Sequence, residues 1–139
     1  MTTTTEARPT RQEQCPKHGA FTSTNFYRDH WSICEACAAE ARREEKEAER
    51  HGRIQDLIAY ANIPPKFARA DLSGAPPKVL AWLKAAATGM PTGPLVITGP
   101  VGVGKSFTAC GALRHFIAQT LRQGRYTTAS SYGAAVRGT

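Results

Sequence analysis

A glycine-rich run in the second half of the chain has the composition of a phosphate-binding loop. Residues 99–106 read G-x-x-x-x-G-K-S, between a short apolar run and a segment with helical periodicity. Successive backbone N–H groups in such a loop form an anion-binding nest, and glycine is needed where φ must be positive. The Lys105 ammonium group supplies charge to the β- and γ-phosphates, and the Ser106 hydroxyl is the expected Mg²⁺ ligand. The predicted nucleotide-binding residues are Gly99, Pro100, Val101, Gly102, Val103, Gly104, Lys105, Ser106 and Phe107. The loop alone does not distinguish ATP from GTP.

A second group of residues, near the N-terminus, has the spacing of a metal site. Cys15 and His18 form C-x2-H, and Cys34 and Cys37 form C-x2-C. Two such tight turns supply four tetrahedral ligands, and zinc suits a Cys3His set. Because four protein ligands leave no open position, the expected zinc site is structural rather than catalytic. His30 is an alternative to His18 with poorer spacing.

The remaining aromatic and thiol side chains have simpler expected roles. Cys110 lies in a predicted helix, where a small buried residue is expected rather than a reactive thiol. Four aromatic residues lie between the two ligand pairs, and we expect them to form a small core around zinc rather than to stack on nucleic-acid bases. They are Phe21, Phe26, Tyr27 and Trp31.

Hydrophobic periodicity places these residues on the elements of an α/β chain. A long helix is predicted over residues 35–61, charged in its middle and ended by Pro64-Pro65. Two further helices are predicted over 76–87 and 106–123, the second capped by Gly124. Residues 95–98 indicate a buried parallel strand and residues 125–130 a second strand, after which Ser131 is expected to open a short helix. The apolar stripe of the long helix consists of Ile54, Leu57, Ile58 and Ala61.

Charge and hydropathy limit the class of protein. The net charge is +7, and residues 57–139 contain nine Lys/Arg but a single acidic residue, Asp71. This excess either favours anions such as nucleotide or nucleic acid, or reflects acidic residues that a full domain would carry later in the chain. The sequence has no run of 18 apolar residues, so no membrane span is predicted. The first ten residues lack the apolar core of a secretory signal, and a cytoplasmic location is expected.

The order of these features resembles one family. The chain has, in order, a Cys/His module, a charged helix, the element Ile63-Pro64-Pro65-Lys66-Phe67, the phosphate loop and an expected strand Thr127-Thr128-Ala129-Ser130. This order resembles the AAA+ helicase loaders of the DnaC/DnaI and IstB type over residues 13–137. The resemblance implies ATP with Mg²⁺, a replicative helicase as partner, single-stranded DNA, and self-association of the full-length protein. It also implies that Phe67 lies near the nucleotide base, although Phe after Pro-Pro is more often a packed anchor.

The resemblance divides the chain into four parts. Residues 1–12 are expected to be a disordered tail, 13–40 a zinc-binding module, 41–62 a linker helix, and 63–139 the N-terminal portion of a P-loop AAA+ ATPase domain. No Asp or Glu follows Ser106, so the carboxylate that activates water in this family is missing. We therefore expect no catalytic residue here and an N-terminal fragment or truncated product.

Three alternatives stay open at this point. One is a transposition helper ATPase of the IstB type, with a phage replication protein as a close variant. The second is a non-catalytic adaptor, anchored by zinc, that binds a helicase or DNA. The third is an unrelated P-loop kinase or GTPase, against which the element at residues 63–67 argues.

Overall fold

The computed structural model describes residues 7–138 and divides into two compact units, Met1–Arg50 and His51–Thr139. The described residues form four α-helices, a short 3-10 helix and a small three-stranded antiparallel sheet, so the chain is mixed α/β. None of the helices found there is both long and apolar enough to cross a bilayer.

The sheet belongs to the first unit and has the order β1-β2-β3, with β1 at Thr10–Cys15, β2 at Gly19–Tyr27 and β3 at His30–Trp31. Antiparallel pairing sets Thr10 opposite Thr24 and Cys15 opposite Gly19. Strand β1 therefore begins inside the range predicted to be a disordered tail, because residues 10–12 pair with residues 22–24 of β2. Residues 1–6 of that predicted tail lie outside the described residues.

The long helix α1 spans Glu35–Tyr60, which confirms the predicted helix to within one residue at its end. Residues 41–53 are all exposed, as their charge requires. The apolar stripe is half-buried along the helix, and Ala61 directly after it is fully buried. Asn62 then adopts a left-handed φ of 55°, and the chain enters the 3-10 helix Pro65–Phe67.

The second unit is built around α2 (Pro77–Ala87) and α3 (Lys105–Thr120), which contact one another. Its core consists of Val79, Leu83 and Ala112, with partly buried Leu72, Trp82, Leu95, Ile97 and Phe116 packed against it. Gly111 of α3 allows the backbone at Asp71 to approach closely, since a Cβ there would lie 2.2 Å from the Asp71 carbonyl oxygen.

Neither predicted strand of this unit is present in the described residues, and both predictions were wrong. Residues 95–98 pair with no other strand, and although Leu95 and Ile97 pack on the core, Val96 is 75% exposed. A strand exists only through its hydrogen-bonded neighbour, and these residues have none. The backbone N–H of Tyr126 instead donates to the Ala61 carbonyl at 2.7 Å.

Helix ends in this unit also differ from the predicted ones. Helix α4 spans Ala129–Arg137, two residues earlier than expected, because the Thr128 side chain caps it by accepting from Ser131 N. Helix α3 ends at Thr120 with Leu121 as its left-handed cap, in place of Gly124. Gly124 serves packing instead, since a Cβ there would lie 2.4 Å from Leu113 Cδ1.

Candidate functional site

The four predicted metal ligands come together at the start of α1 and the first turn of the sheet. Cys15 ends β1, and His18 lies in the turn that leads into Gly19, whose φ is +82°. Cys34 precedes α1 and its carbonyl accepts from Ala38 N at 2.9 Å, while Cys37 lies in the first helical turn. The positive end of a helix favours thiolates at this position.

Four of the six distances between ligand atoms are close to those around a tetrahedrally coordinated zinc ion. The four ligand atoms lie within 4.8 Å of one another. Cys15 Sγ is 3.5 Å from Cys37 Sγ, and His18 Nδ1 is 3.6, 3.7 and 3.4 Å from the sulfurs of Cys15, Cys34 and Cys37. Zinc–ligand bonds of about 2.0–2.3 Å at tetrahedral angles separate neighbouring ligand atoms by roughly 3.5–3.8 Å. The cluster can therefore hold a metal ion such as zinc, and it uses His18 rather than His30.

Glu40 supports the histidine of this cluster from the next turn of α1. Its Oε1 lies 3.1 Å from His18 Nε2, while its Oε2 is 3.5 Å from Lys17 Nζ. A carboxylate on the far ring nitrogen fixes the ring orientation and leaves Nδ1 free to bind a metal. Sequence reasoning missed this residue, although its position three residues after Cys37 places both side chains on one helix face.

In the metal-free cluster, hydrogen bonds between neighbouring groups shift the pKa values of Cys15, His18, Cys37 and Glu40. Hydrogen bonds from the backbone N–H groups of Lys17 and His18 lower the pKa of the Cys15 thiol to about 6. The hydrogen bond to Cys15 raises the pKa of Cys37 to about 11. The Cys15 thiolate, and then Glu40, raise the pKa of His18, while the hydrogen bond from His18 lowers the pKa of Glu40. A metal binds cysteine as the thiolate, so metal binding displaces protons from this cluster and its affinity depends on pH.

The aromatic residues between the ligand pairs do not all form the predicted core. Phe21 and Trp31 are half-buried, but Phe26 is 59% exposed and Tyr27 is 65% exposed, so the prediction was wrong for these two. Phe26 and Tyr27 are the last two residues of the nine-residue strand β2, whereas the metal ligands lie near its first residue. The sequence places an arginine directly beside only one of these rings, where Arg28 follows Tyr27, whereas the fold brings Arg8 over Phe26.

The glycine-rich loop has the backbone conformation that its glycines were predicted to allow. Gly99, Gly102 and Gly104 have φ values of 152°, 88° and 86°. A Cβ at Gly102 or Gly104 would meet nothing within 4 Å, so the backbone conformation rather than space requires glycine there. Lys105 Nζ donates to the carbonyl oxygens of Gly99 at 2.9 Å and Pro100 at 2.6 Å.

The loop leads directly into the first turn of α3. Gly104 is the N-cap and offers no side chain to the first-turn N–H groups, which have no partner within a helix. Ser106 is exposed and Phe107 is half-buried. Val101 is fully exposed at the loop tip.

Two other predicted residues lie in the same unit as the loop. Cys110 is fully buried, which confirms its expected packing role, and burial raises the pKa of its thiol. Phe67 is half-buried at the end of the 3-10 helix, which contacts α3, and Lys66 Nζ lies 5.0 Å from its ring centre.

Comparisons of the chain with protein families, with curated proteins and with solved structures gave no match.

Proposed function

We propose that this chain binds a nucleoside triphosphate, ATP, together with Mg²⁺, through residues 99–106. The proposal rests on one observation. Gly99, Gly102 and Gly104, all with positive φ, lead directly into the N-terminus of α3, which has no side-chain cap. A helix start of this kind favours phosphate, because its N–H groups and the positive end of its dipole face the ligand.

Each residue of the loop has a role in this proposal. The glycine conformations turn the backbone around the phosphates, and the ammonium group of Lys105 exchanges two carbonyl oxygens for phosphate oxygens, which bind a cation more strongly. The exposed Ser106 hydroxyl is free to reach a magnesium ion. Phe67 is assigned to the base on the strength of the family resemblance.

The wider role that we propose is that of a helicase-loader-like ATPase of DNA replication, with a replicative helicase as partner. The order of the metal module, charged helix, residues 63–67 and the loop supports this role through the resemblance. Nucleotide acts as a bound ligand here, because no Asp or Glu follows Ser106 to activate water.

Nucleotide titration tests the phosphate site. Lys105→Ala is expected to weaken the binding of a fluorescent ATP analogue with Mg²⁺ by at least about tenfold. Lys84→Ala removes the same charge from the exposed face of α2 and serves as the matched control. Equal affinity of the Lys105 variant and wild-type protein would refute the proposal.

For the metal cluster we propose zinc in a purely structural role. Because the chain has one Cys3His site, metal analysis is expected to find about one zinc ion per chain in the wild-type protein and none in Cys34→Ser. Cys110→Ala changes a cysteine outside the cluster and should leave the zinc content unchanged. A wild-type chain purified without metal and unable to take up zinc would end this part of the proposal.

A zinc-anchored adaptor without nucleotide is the second candidate. It is favoured by the absence of strand pairing at residues 95–98 and 125–128, within the part of the chain that the structure describes. Limited proteolysis separates the two candidates. If residues 63–139 are digested equally with and without ATP while residues 13–60 survive with zinc, the adaptor is correct. Protection of residues 63–139 by ATP supports the nucleotide-binding function.

A further inference from the structure

Exposed rings and arginines are paired at the end of the sheet away from the metal cluster. Arg8 lies over the Phe26 ring at 5.1 Å and Arg28 over the Tyr27 ring at 5.2 Å. We call these four residues the aromatic tip. Both rings are more than half exposed. The tip lies at the end of β2, and the beginning of β2 follows the turn that carries Cys15 and His18.

The backbone beneath the tip holds a conformation that costs free energy. Arg28 has a left-handed φ of 49°, uncommon for a residue with a side chain, and a register shift lies between Asn25 and Tyr27. The Asn25 side chain holds this turn by donating to the Arg28 carbonyl at 2.6 Å. The buried Ser23 hydroxyl donates to the Ser32 carbonyl at 2.8 Å and anchors the strands below. The rings are therefore presented on a hairpin whose turn and strands are joined by side-chain hydrogen bonds.

We propose that the aromatic tip binds single-stranded nucleic acid by stacking unpaired bases on Phe26 and Tyr27. Both rings are more than half exposed and each has its own arginine, so each ring offers a stacking platform. A guanidinium group beside each ring extends the stack as a planar cation and reaches the phosphates. Bases within a duplex are already stacked, so the tip selects unpaired strands.

The surroundings of the tip favour nucleic acid over a protein partner. On the face of β1 and β2 that carries Thr10, Gln12, Thr22 and Thr24, the side chains nearest the tip are polar and uncharged. The buried centre of a protein interface is more apolar and would draw on aliphatic side chains, which are missing among these residues. One acidic residue, Asp29, directly follows Arg28 of the tip. The charge of Glu13 on β1 is paired with Arg11, which also lies over the Trp31 ring.

Fluorescence anisotropy of the full zinc-loaded chain, without nucleotide, tests the proposal independently of the phosphate loop. Labelled oligothymidine and oligouridine of about fifteen nucleotides cover one such site, and the same DNA strand annealed to its complement is the duplex probe. Wild-type protein is expected to bind one or both single strands, with affinity that falls as salt increases. Comparison of the two single strands identifies DNA or RNA as the preferred source of bases.

Variants identify the contact chemistry. Phe26→Ala with Tyr27→Ala is expected to weaken single-strand binding on the order of tenfold or more, since each ring stacks one base. Phe26→Leu keeps an apolar side chain but removes the ring, so it should weaken binding nearly as much as Phe26→Ala. Tyr132→Ala removes an equally exposed ring of α4 and is the matched control, with binding expected unchanged. Zinc content of each variant verifies that the module is folded.

Several results would overturn the proposal. They are the absence of binding by wild-type protein, equal binding of single strand and duplex, and full binding by the double alanine variant. Wild-type affinity in Phe26→Leu would show that the tip acts through apolar contact, as a protein-docking surface does, and would likewise refute base stacking.

Discussion

Replacing Glu40 by glutamine should weaken zinc binding although Glu40 is not itself a ligand. The change keeps the shape of the side chain but removes the charge that faces His18 Nε2 at 3.1 Å. Loss of such a supporting carboxylate typically weakens metal affinity about 10–100-fold. Because the Glu40 side chain is 46% exposed, water replaces part of the lost interaction, and we expect a loss near the lower end, about tenfold.

Competition with a chromogenic zinc chelator measures this difference. Glu44→Gln is the matched control, since Glu44 lies one helical turn further on α1, is exposed, and loses the same charge. Glu40 raises the pKa of His18, so protons compete for the imidazole at higher pH in wild-type protein than in the variant. The difference in affinity should therefore narrow as the pH falls. Equal zinc affinities of the Glu40 and Glu44 variants at neutral pH would refute the assigned role.

Three further predictions concern the second unit. Gly111→Ala should lower the free energy of unfolding by about 1–3 kcal/mol, because its Cβ would lie 2.2 Å from the Asp71 carbonyl oxygen. Gly52→Ala, in an exposed part of a helix, should raise the free energy of unfolding by up to about 1 kcal/mol. Thermal unfolding that ranks the two variants in the opposite order would contradict the packing at Gly111. The Ser73 hydroxyl and N–H groups hold the pKa of Asp71 below its usual value. This pair therefore stabilises the fold above the pKa that Asp71 has in the unfolded state, and the contribution is lost as the pH falls through the folded-state pKa. Ser73→Ala should raise the Asp71 pKa in an NMR titration, and an unchanged titration would exclude the hydrogen bonds between Ser73 and Asp71. The purified chain should release no phosphate from ATP above background, since no acidic residue follows Ser106, and turnover that Lys105→Ala abolishes would contradict this account.

Local patterns predicted the features that depend on neighbours in sequence. The charged run and apolar stripe of α1 placed that helix to within one residue, since helical periodicity and a following Pro-Pro are local properties. The spacing of Cys15, His18, Cys34 and Cys37 likewise predicted a cluster that the fold brings together, because each pair spans a single tight turn. The positive φ angles of the loop glycines follow the same logic.

Features that depend on distant partners were not predictable in this way. Residues 95–98 have a strand composition, yet no neighbouring strand pairs with them in the described residues. Residues 10–12 look like part of a polar tail, yet they pair with β2. The register of that pairing also decides that Phe26 and Tyr27 emerge at the far end of the sheet instead of around the metal.

The sequence by itself determined that Cys15, His18, Cys34 and Cys37 are suited to hold a metal, and it predicts which residues would hold a polyphosphate, because both kinds of motif consist of short spacings and local backbone conformations. Only the tertiary structure decided that Glu40 supports His18, that Lys105 rests on the carbonyl oxygens of its own loop, and that three arginines lie over aromatic rings. These contacts depend on side-chain positions in three dimensions, which hydrophobic periodicity and motif spacing do not specify.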